Sequence, residues 1–396
     1  MKALLLENIH PEAQRMLTGA GWEVEVHPGA LTGAGLVEAL AGVDYLGIRS
    51  RSLVTADVIA QAPNLRGIGA FCIGTNQIDL AACSDTGVAV FNAPYSNTRS
   101  VVELAIAEII TMARRLSDRN RDMHAGIWDK TATGSHEVRG RSLGIVGYGN
   151  IGSQLSVIAE AMGMRVYYYD LVEKLALGNA QRCDSLEELL SVAEVVSLHV
   201  DGRPENDGLF GEAEFANMRP RSLFINLCRG NVADLDALHE ALLSGHIAGA
   251  ALDVFPTEPT AKGESFECKL RGVPNVILTP HIGGSTQEAQ HDIGRFVAGK
   301  FLDYDRVGIT SMSVNLPQVA AQPAVGNRIT HLHYNVPGVL ARLNSALAHH
   351  NFNIRSQQLA TRDSLGYVVT DVVGGHADGL IAELSALAET VRVRAL

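Results

Sequence analysis

Ser142-Leu-Gly-Ile-Val-Gly-Tyr-Gly-Asn-Ile-Gly152 decides the fold. The apolar run Leu143 to Val146 leads into Gly147-x-Gly149-x-x-Gly152, and Gln154 to Met162 then reads as a helix. Strand, glycine turn and helix in that order begin a dinucleotide-binding βαβ unit. The helix N-terminus offers free N–H groups and a positive dipole end to a pyrophosphate. Gly147 permits the tight turn, Gly149 the approach of phosphate, and Gly152 close packing of helix on strand. Asp170 ends the next strand, MRVYYYD. A carboxylate there accepts hydrogen bonds from ribose hydroxyls and repels a 2′-phosphate. The predicted cofactor is therefore NAD rather than NADP.

On both sides of this stretch, strand and helix signals alternate. VVSLHV, SLFINL, AGAALDVF and NVILTP follow as strands, with helical segments between most of them. KALLLEN, EVEVHPG, YLGIRS and LRGIGAF precede as strands, and PEAQRMLTGAG, LVEALAG and ADVIAQAP as helices. Such alternation predicts parallel sheets with helices on their faces. Thr98 to Trp128 reads as one or two helices. Ser311 to Gly326, poor in period and holding Pro317 and Pro323, reads as a linker. The tail differs. RITHLHY, PGVLARLNSALAHH, FNIRSQQLAT, LGYVVTDVV, ADGLIAELSALAE and TVRVRAL give the order βαββαβ, that of a small ferredoxin-like module independent of the two α/β domains.

The chain of 396 residues has room for two or three domains. With 46% hydrophobic and 19% charged residues it reads as soluble and globular. A net charge of −11 excludes a general attraction for nucleic acid or anionic membrane. No run of 18 apolar residues predicts a membrane span. The start, MKALLLENIHPEAQ, lacks the apolar core and cleavage site of a signal peptide. Five widely spaced cysteines show no CxxC or Cys/His ligand spacing, so reduced thiols in a cytoplasmic protein and no metal are expected.

Candidate chemistry lies at strand ends, where open parallel sheets place ligands. Arg229 follows FINLC, Asp253 and Glu258 close or follow AGAALDVF, and His281 follows NVILTP. Each has a plain reading too: a surface ion-pair partner, a solvated carboxylate, a turn residue. Their recurrence after one nucleotide motif favours chemistry. Oxidation of a secondary alcohol needs a proton acceptor at its oxygen, and histidine titrates near working pH. Glu258 is suited to fix the tautomer of His281, and Arg229 to grip a substrate carboxylate through a two-point fork. Arg49-Ser50-Arg51, after the strand YLGI, suggests a small-anion site with phosphate as guest; a solvated strand end is the alternative.

With GYGNIG, VVSLHV, INLCRG, DVFPTEP and TPHIGGSTQEAQ, the chain resembles the D-2-hydroxyacid dehydrogenase family over nearly its whole length. IRSRS, FCIGTNQIDL and FNAPYSNTRS are similar to its short-form, serine-biosynthetic branch with a C-terminal ACT domain. The resemblance implies a Rossmann-type NAD domain (98–283) inserted in a flavodoxin-like substrate domain (1–97 and 284–325), then an ACT domain (326–396). Both larger domains would be doubly wound parallel-sheet α/β folds. It implies Arg229, Glu258 and His281 as catalytic residues. Cofactor contacts would come from Gly147, Gly149, Asn150, Ile151, Gly152, Asp170, Leu227, Cys228, Arg229, Asp253, His281, Ile282, Gly283 and Gly284. The phosphate of 3-phosphoglycerate would meet Arg49, Ser50 and Arg51, with Asn97 nearby. L-Serine would bind as effector through His333, Asn335 and Asn353. Trp128 matches a residue that reaches a neighbouring subunit in relatives, which implies a homotetramer. Two positions depart from the pattern: Cys228 stands where serine is usual, and Gly326 stands alone where relatives have a glycine pair. The implied reaction is oxidation of 3-phospho-D-glycerate to 3-phosphohydroxypyruvate. Reduction of 2-oxoglutarate to 2-hydroxyglutarate stays open as a side activity. Formate oxidation is disfavoured, because formate-oxidising members carry glutamine where Glu258 stands. Glyoxylate or hydroxypyruvate reduction, and an NAD-sensing corepressor role, are the alternatives.

Overall fold

A computed structural model describes every residue except 260–262, 321–325, 375 and 376. Contacts divide the chain into two compact units, Met1–Ser96 with Gln290–Leu396, and Asn97–Ala289.

The N-terminal part of the first unit runs β1 (Lys2–Leu5), α1 (Pro11–Gly19), β2 (Glu23–Val26), α2 (Gly33–Ala39), β3 (Tyr45–Ile48), α3 (Ala56–Ala60), β4 (Gly67–Ala70), α4 (Leu80–Thr86) and β5 (Ala89–Asn92). All pairings are parallel, in the order β2-β1-β3-β4-β5. That is the flavodoxin-like order. Alternate residues feed two cores. Leu4, Leu46, Ile68 and Val90 face one side, and Ala3, Leu5, Tyr45 and Phe91 the other. The sequence reading left out α4 and β5. The Asp79 side chain caps α4 by accepting from Ala82 N–H, and left-handed Gly87 ends it. α4 is as long as α2, but Leu80 and Cys83 are its only larger apolar side chains, so it carries little periodic contrast.

The second unit comprises α5 (Thr98–Ala113), α6 (Leu116–His124), β6 (Ser142–Val146), α7 (Asn150–Ala161), β7 (Arg165–Tyr169), β8 (Gln181–Arg182), α8 (Leu186–Val192), β9 (Val195–Leu198), α9 (Glu212–Asn217), β10 (Ser222–Asn226), α10 (Leu235–Leu243), β11 (Ile247–Leu252) and β12 (Val276–Leu278). The parallel order β12-β11-β10-β9-β6-β7-β8 is the Rossmann order extended by one strand. α5 and α7 cover one face through Val102, Ala105, Ile109, Leu155 and Ala159. α8, α9 and α10 cover the other through Leu189, Phe215 and Leu238. α7 begins at Asn150, not at the predicted Gln154, so its free N–H groups lie directly behind the glycine turn.

The chain returns through α11 (Gln287–Val307), then β13 (Asn327–Tyr334), α12 (Val339–His349), β14 (Asn353–Arg362), β15 (Leu365–Val373), α13 (Ala377–Ser385) and β16 (Thr390–Ala395). The antiparallel order β14-β15-β13-β16 is ferredoxin-like. The module has its own core, in which Leu343, Leu347, Val368, Val372 and Leu380 meet. Its independence is only partial. Helices cover one face of this sheet. Leu332, Tyr367 and Val369 on the other join the core of Phe91, Phe301 and Tyr304. Arg394 stacks on Tyr304, 4.4 Å from the ring centroid. The segment read as a linker is also fixed where it is described. Ser313 and Asn315 are buried, and Asn315 Oδ1 accepts from Val90 N–H at 2.8 Å. The remainder of that reading, 321–325, lies outside the described residues.

Candidate active site

The glycine turn shows a division of labour. Gly147 has φ +92°, and a Cβ there would lie 2.7 Å from the His199 carbonyl oxygen. A Cβ on Gly152 would lie 2.3 Å from the Gly147 carbonyl oxygen. Around Gly149 nothing lies within 4 Å of where a Cβ would be. Two glycines are therefore imposed by packing, and the third leaves open space before the α7 N-terminus. Asp170 fastens this turn to the end of β7: Oδ2 accepts from Tyr148 N–H at 2.8 Å and Oδ1 from Val172 N–H at 2.9 Å. Each carboxylate oxygen keeps a lone pair for a hydroxyl donor. The residues present fit a dinucleotide.

His281 lies just beyond β12, in a turn where its N–H donates to Thr279 O at 3.0 Å. Its φ of +54° is left-handed, a strained conformation for a residue with a Cβ. Asp253, 1% exposed at the end of β11, holds that turn. Its Oδ1 accepts from the Thr279 hydroxyl at 2.6 Å and Ile282 N–H at 2.7 Å, and its Oδ2 from Gly283 N–H at 2.7 Å. The resemblance places Asp253 among the cofactor contacts; in this structure its carboxylate accepts three bonds from the histidine turn.

His281 Nδ1 lies 2.8 Å from Glu258 Oε2, and Glu258 Oε1 accepts from Phe255 N–H at 3.1 Å. Partial burial pushes the Glu258 carboxyl up, but the hydrogen bonds from His281 and Phe255 and the charges of His281 and Arg229 leave its pKa below the usual value. An ionised carboxylate only accepts, so the bond puts the proton on Nδ1 and leaves Nε2 able to accept one. The hydrogen bond to Glu258 also raises the His281 pKa above 6.5, against the opposing effect of burial.

Arg229 follows β10 in a turn built on Asn226, which is fully buried. The Asn226 amide donates to Arg229 O at 2.9 Å and its oxygen accepts from Cys228 N–H at 3.1 Å. Burial pushes the Cys228 thiol up to about 11, which keeps it protonated. Glu108 of α5 escaped the sequence reading, since a helical glutamate ordinarily reads as solvated. It is 3% exposed, neither oxygen has a hydrogen-bond partner, and burial with the charge of Asp253 pushes it up to about 8. Asn97 precedes α5; a Cβ on Gly284 would lie 2.5 Å from its Nδ2. Trp128 is 79% exposed.

In the first unit, Arg49, Ser50 and Arg51 follow β3 over another missed residue. Glu7, buried, accepts from the N–H groups of Arg49 at 3.2 Å, Arg51 at 3.0 Å and Ser52 at 2.9 Å. These three backbone donors thus point to Glu7 rather than to an anion, which leaves the arginine side chains as the charged donors here. The Gln77 amide donates to Arg49 O.

The effector candidates are not brought together within one chain. His333 pairs with Gly366 at one end of the C-terminal sheet, whereas Asn353 pairs with Val373 at the other, roughly 20 Å away at strand rise. His333 is buried and its Nε2 has no hydrogen-bond partner; Asn335 and Asn353 are exposed.

Residues 106–283 match the family described as D-isomer specific 2-hydroxyacid dehydrogenase, NAD binding domain. Residues 329–392 match the AHAS small subunit-like ACT domain. The chain is 49% identical to a D-3-phosphoglycerate dehydrogenase of Haemophilus influenzae, over 100% of this chain and 97% of the relative. It is 47% identical to that of Escherichia coli K12 over the same shares. Among solved structures, D-2-hydroxyisocaproate dehydrogenase is 26% identical with a TM-score of 0.73, covering 80% of this chain and 100% of that one. No helix among the described residues is long and apolar enough to cross a membrane.

Proposed function

The chain belongs to the D-2-hydroxyacid dehydrogenase family, among its D-3-phosphoglycerate dehydrogenases, and on that premise we propose that it oxidises 3-phospho-D-glycerate to 3-phosphohydroxypyruvate, the first step of L-serine biosynthesis, in the cytoplasm. The observation that carries the chemistry is the Glu258–His281 pair, bonded at 2.8 Å on a turn held by Asp253. NAD, when bound at Gly147–Gly152, supplies the hydride acceptor. Arg229 holds the substrate carboxylate through its guanidinium fork. His281 Nε2 takes the hydroxyl proton, and Glu258 stabilises the imidazolium so formed. Arg49, Ser50, Arg51 and Asn97 recognise the phosphate, with Glu7 fixing the backbone that carries the two arginines.

A substrate panel run in both directions tests this reading. Phosphohydroxypyruvate is expected to be reduced far better than glyoxylate or pyruvate; parity with these two acids would refute it. Arg51→Ala removes one charge-assisted contact, so KM for the phosphorylated substrate should rise roughly 10- to 100-fold with kcat little changed. Rates on unphosphorylated 2-oxo acids should stay unaltered, and equal losses on both classes would remove Arg51 from phosphate recognition.

The ACT match supports control by an amino acid. We assign L-serine, held where His333 and Asn335 of one copy meet Asn353 of a second within a homotetramer, because one chain separates these residues. Millimolar serine should inhibit the enzyme, and His333→Ala and Asn353→Ala should each weaken the inhibition. Co-expression of the two variants should restore part of it, since mixed pairs regain one intact site. Flat activity in serine, or no recovery in the mixed assembly, would count against the shared site.

A further inference from the structure

The helical face of the C-terminal module holds a cluster that the proposed reaction does not use. α12 ends at His349, His350 is its C-cap, and α13 brings Glu383 beside both. Glu383 Oε2 lies 2.8 Å from His350 Nε2 and 3.4 Å from His349 Nδ1. The three potential ligand atoms lie within 4.8 Å of one another, the one such His/Cys/carboxylate cluster among the described residues. We propose that His349, His350 and Glu383 bind one zinc-like divalent transition-metal ion, with a fourth position left to water.

Several independent features favour a metal over a simple ion pair. Adjacent helical residues diverge by about 100° around the axis, so neighbouring histidines do not ordinarily share a target. Here they do, because His350 stands at the cap, just past the last helical residue. The two imidazole centroids are 5.2 Å apart. Two imidazoles on a tetrahedral zinc, at Zn–N about 2.0–2.1 Å, put their centroids roughly 5 Å apart. The His350 ring is seated against Gly379 of α13, where a Cβ would lie 2.8 Å from its Cε1. One ligand is therefore fixed by packing, and His349, 77% exposed, is free to close on the ion. The C-terminus of α12 adds the negative end of a helix dipole. Two imidazoles and a carboxylate suit zinc, nickel or copper better than magnesium or calcium.

The sequence reading expected no metal because it looked for cysteine and spaced-histidine patterns. Adjacent histidines on one helix end and a glutamate on another helix form no such pattern. Asn353 begins β14 three residues beyond His350, so a bound ion would also stiffen the turn leading to the effector residue. That consequence rests on the serine assignment; the metal site does not.

The test uses full-length protein freed of any purification tag and treated with EDTA. Titration with zinc chloride should show one ion bound per chain with micromolar affinity. Cobalt(II) should give the intense visible bands of a four-coordinate ion. His349→Ala and Glu383→Gln should each weaken binding by more than the roughly 10- to 100-fold that loss of an outer-shell partner costs. His27→Ala, at an exposed histidine elsewhere, should leave it unchanged. Both informative substitutions lie at exposed or half-exposed side chains, so circular dichroism should report an intact fold. Zinc binding equal in the wild type and in the His349→Ala/Glu383→Gln double variant would overturn the site, as would no stoichiometric binding at all. Serine inhibition measured with and without zinc separates the two assignments, since zinc binding survives if serine has no effect.

Discussion

His281→Ala should lower kcat for oxidation by roughly two to four orders of magnitude, the range that a positioned general base contributes. The argument is geometric before it is electrostatic. The turn carrying His281 is strained, with φ +54°, and three hydrogen bonds from its segment to the buried Asp253 hold it. Glu258 then fixes which ring nitrogen is free. The pH dependence has a definite sign. Proton uptake from the substrate needs neutral imidazole, and Glu258 raises the His281 pKa above its ordinary value. The acidic limb of kcat/KM for oxidation should therefore lie above pH 6.5. Glu258→Gln keeps a hydrogen-bond acceptor but removes the charge, so the limb should move to lower pH while the plateau falls. A pH–rate profile checks both. A limb that does not move in Glu258→Gln would mean that another group controls it.

What the sequence made legible follows from how locally each feature is encoded. The βαβ turn at Gly147–Gly152 is contiguous and so legible as a motif, although the nearest atoms that exclude a side chain at Gly147 belong to His199, beyond β9. The strand-end residues were legible for the same reason: Arg229 and His281 each stand three residues past an apolar strand, and Glu258 six past another. Their supports were legible only in part: Asp253 stood out as a strand-end residue, but its bonds to the histidine turn did not. Asp253 acts through Thr279, Ile282 and Gly283, some thirty positions along the chain. Glu7 acts through the backbone of Arg49 and Arg51, and Glu108 has no local motif at all. α4 carries a cap and a left-handed terminator but little apolar contrast. The effector residues were legible as residue types, yet only sheet register reveals that His333 and Asn353 stand at opposite ends. The covering of the C-terminal sheet by the N-terminal core was likewise hidden, since alternation in β15 shows two buried faces without naming what buries the second.

Gly230→Ala should abolish most of the activity without touching a group that reacts. A Cβ at position 230 would lie 1.9 Å from the Phe255 carbonyl carbon, 2.1 Å from its oxygen and 2.5 Å from its Cα. These are backbone atoms, so no rotamer change relieves the clash. Ordinary contact needs about 3.5–4.0 Å, so the two segments must part by more than an ångström. Arg229 is adjacent to Gly230 on one segment. Glu258 is tied to the Phe255 N–H on the other and orients His281. The insertion therefore moves the proposed carboxylate grip relative to the proposed base. A misplacement of about 1 Å costs on the order of 100-fold in rate, because near-attack geometry is lost. Overpacking at a buried backbone contact adds roughly 1–3 kcal/mol of destabilisation. The expected result is a folded protein with a lower Tm and kcat/KM reduced at least about 100-fold. Retention of more than a tenth of the wild-type rate in the folded variant would show that close contact at Gly230 does not set the alignment of Arg229 with the Glu258–His281 pair.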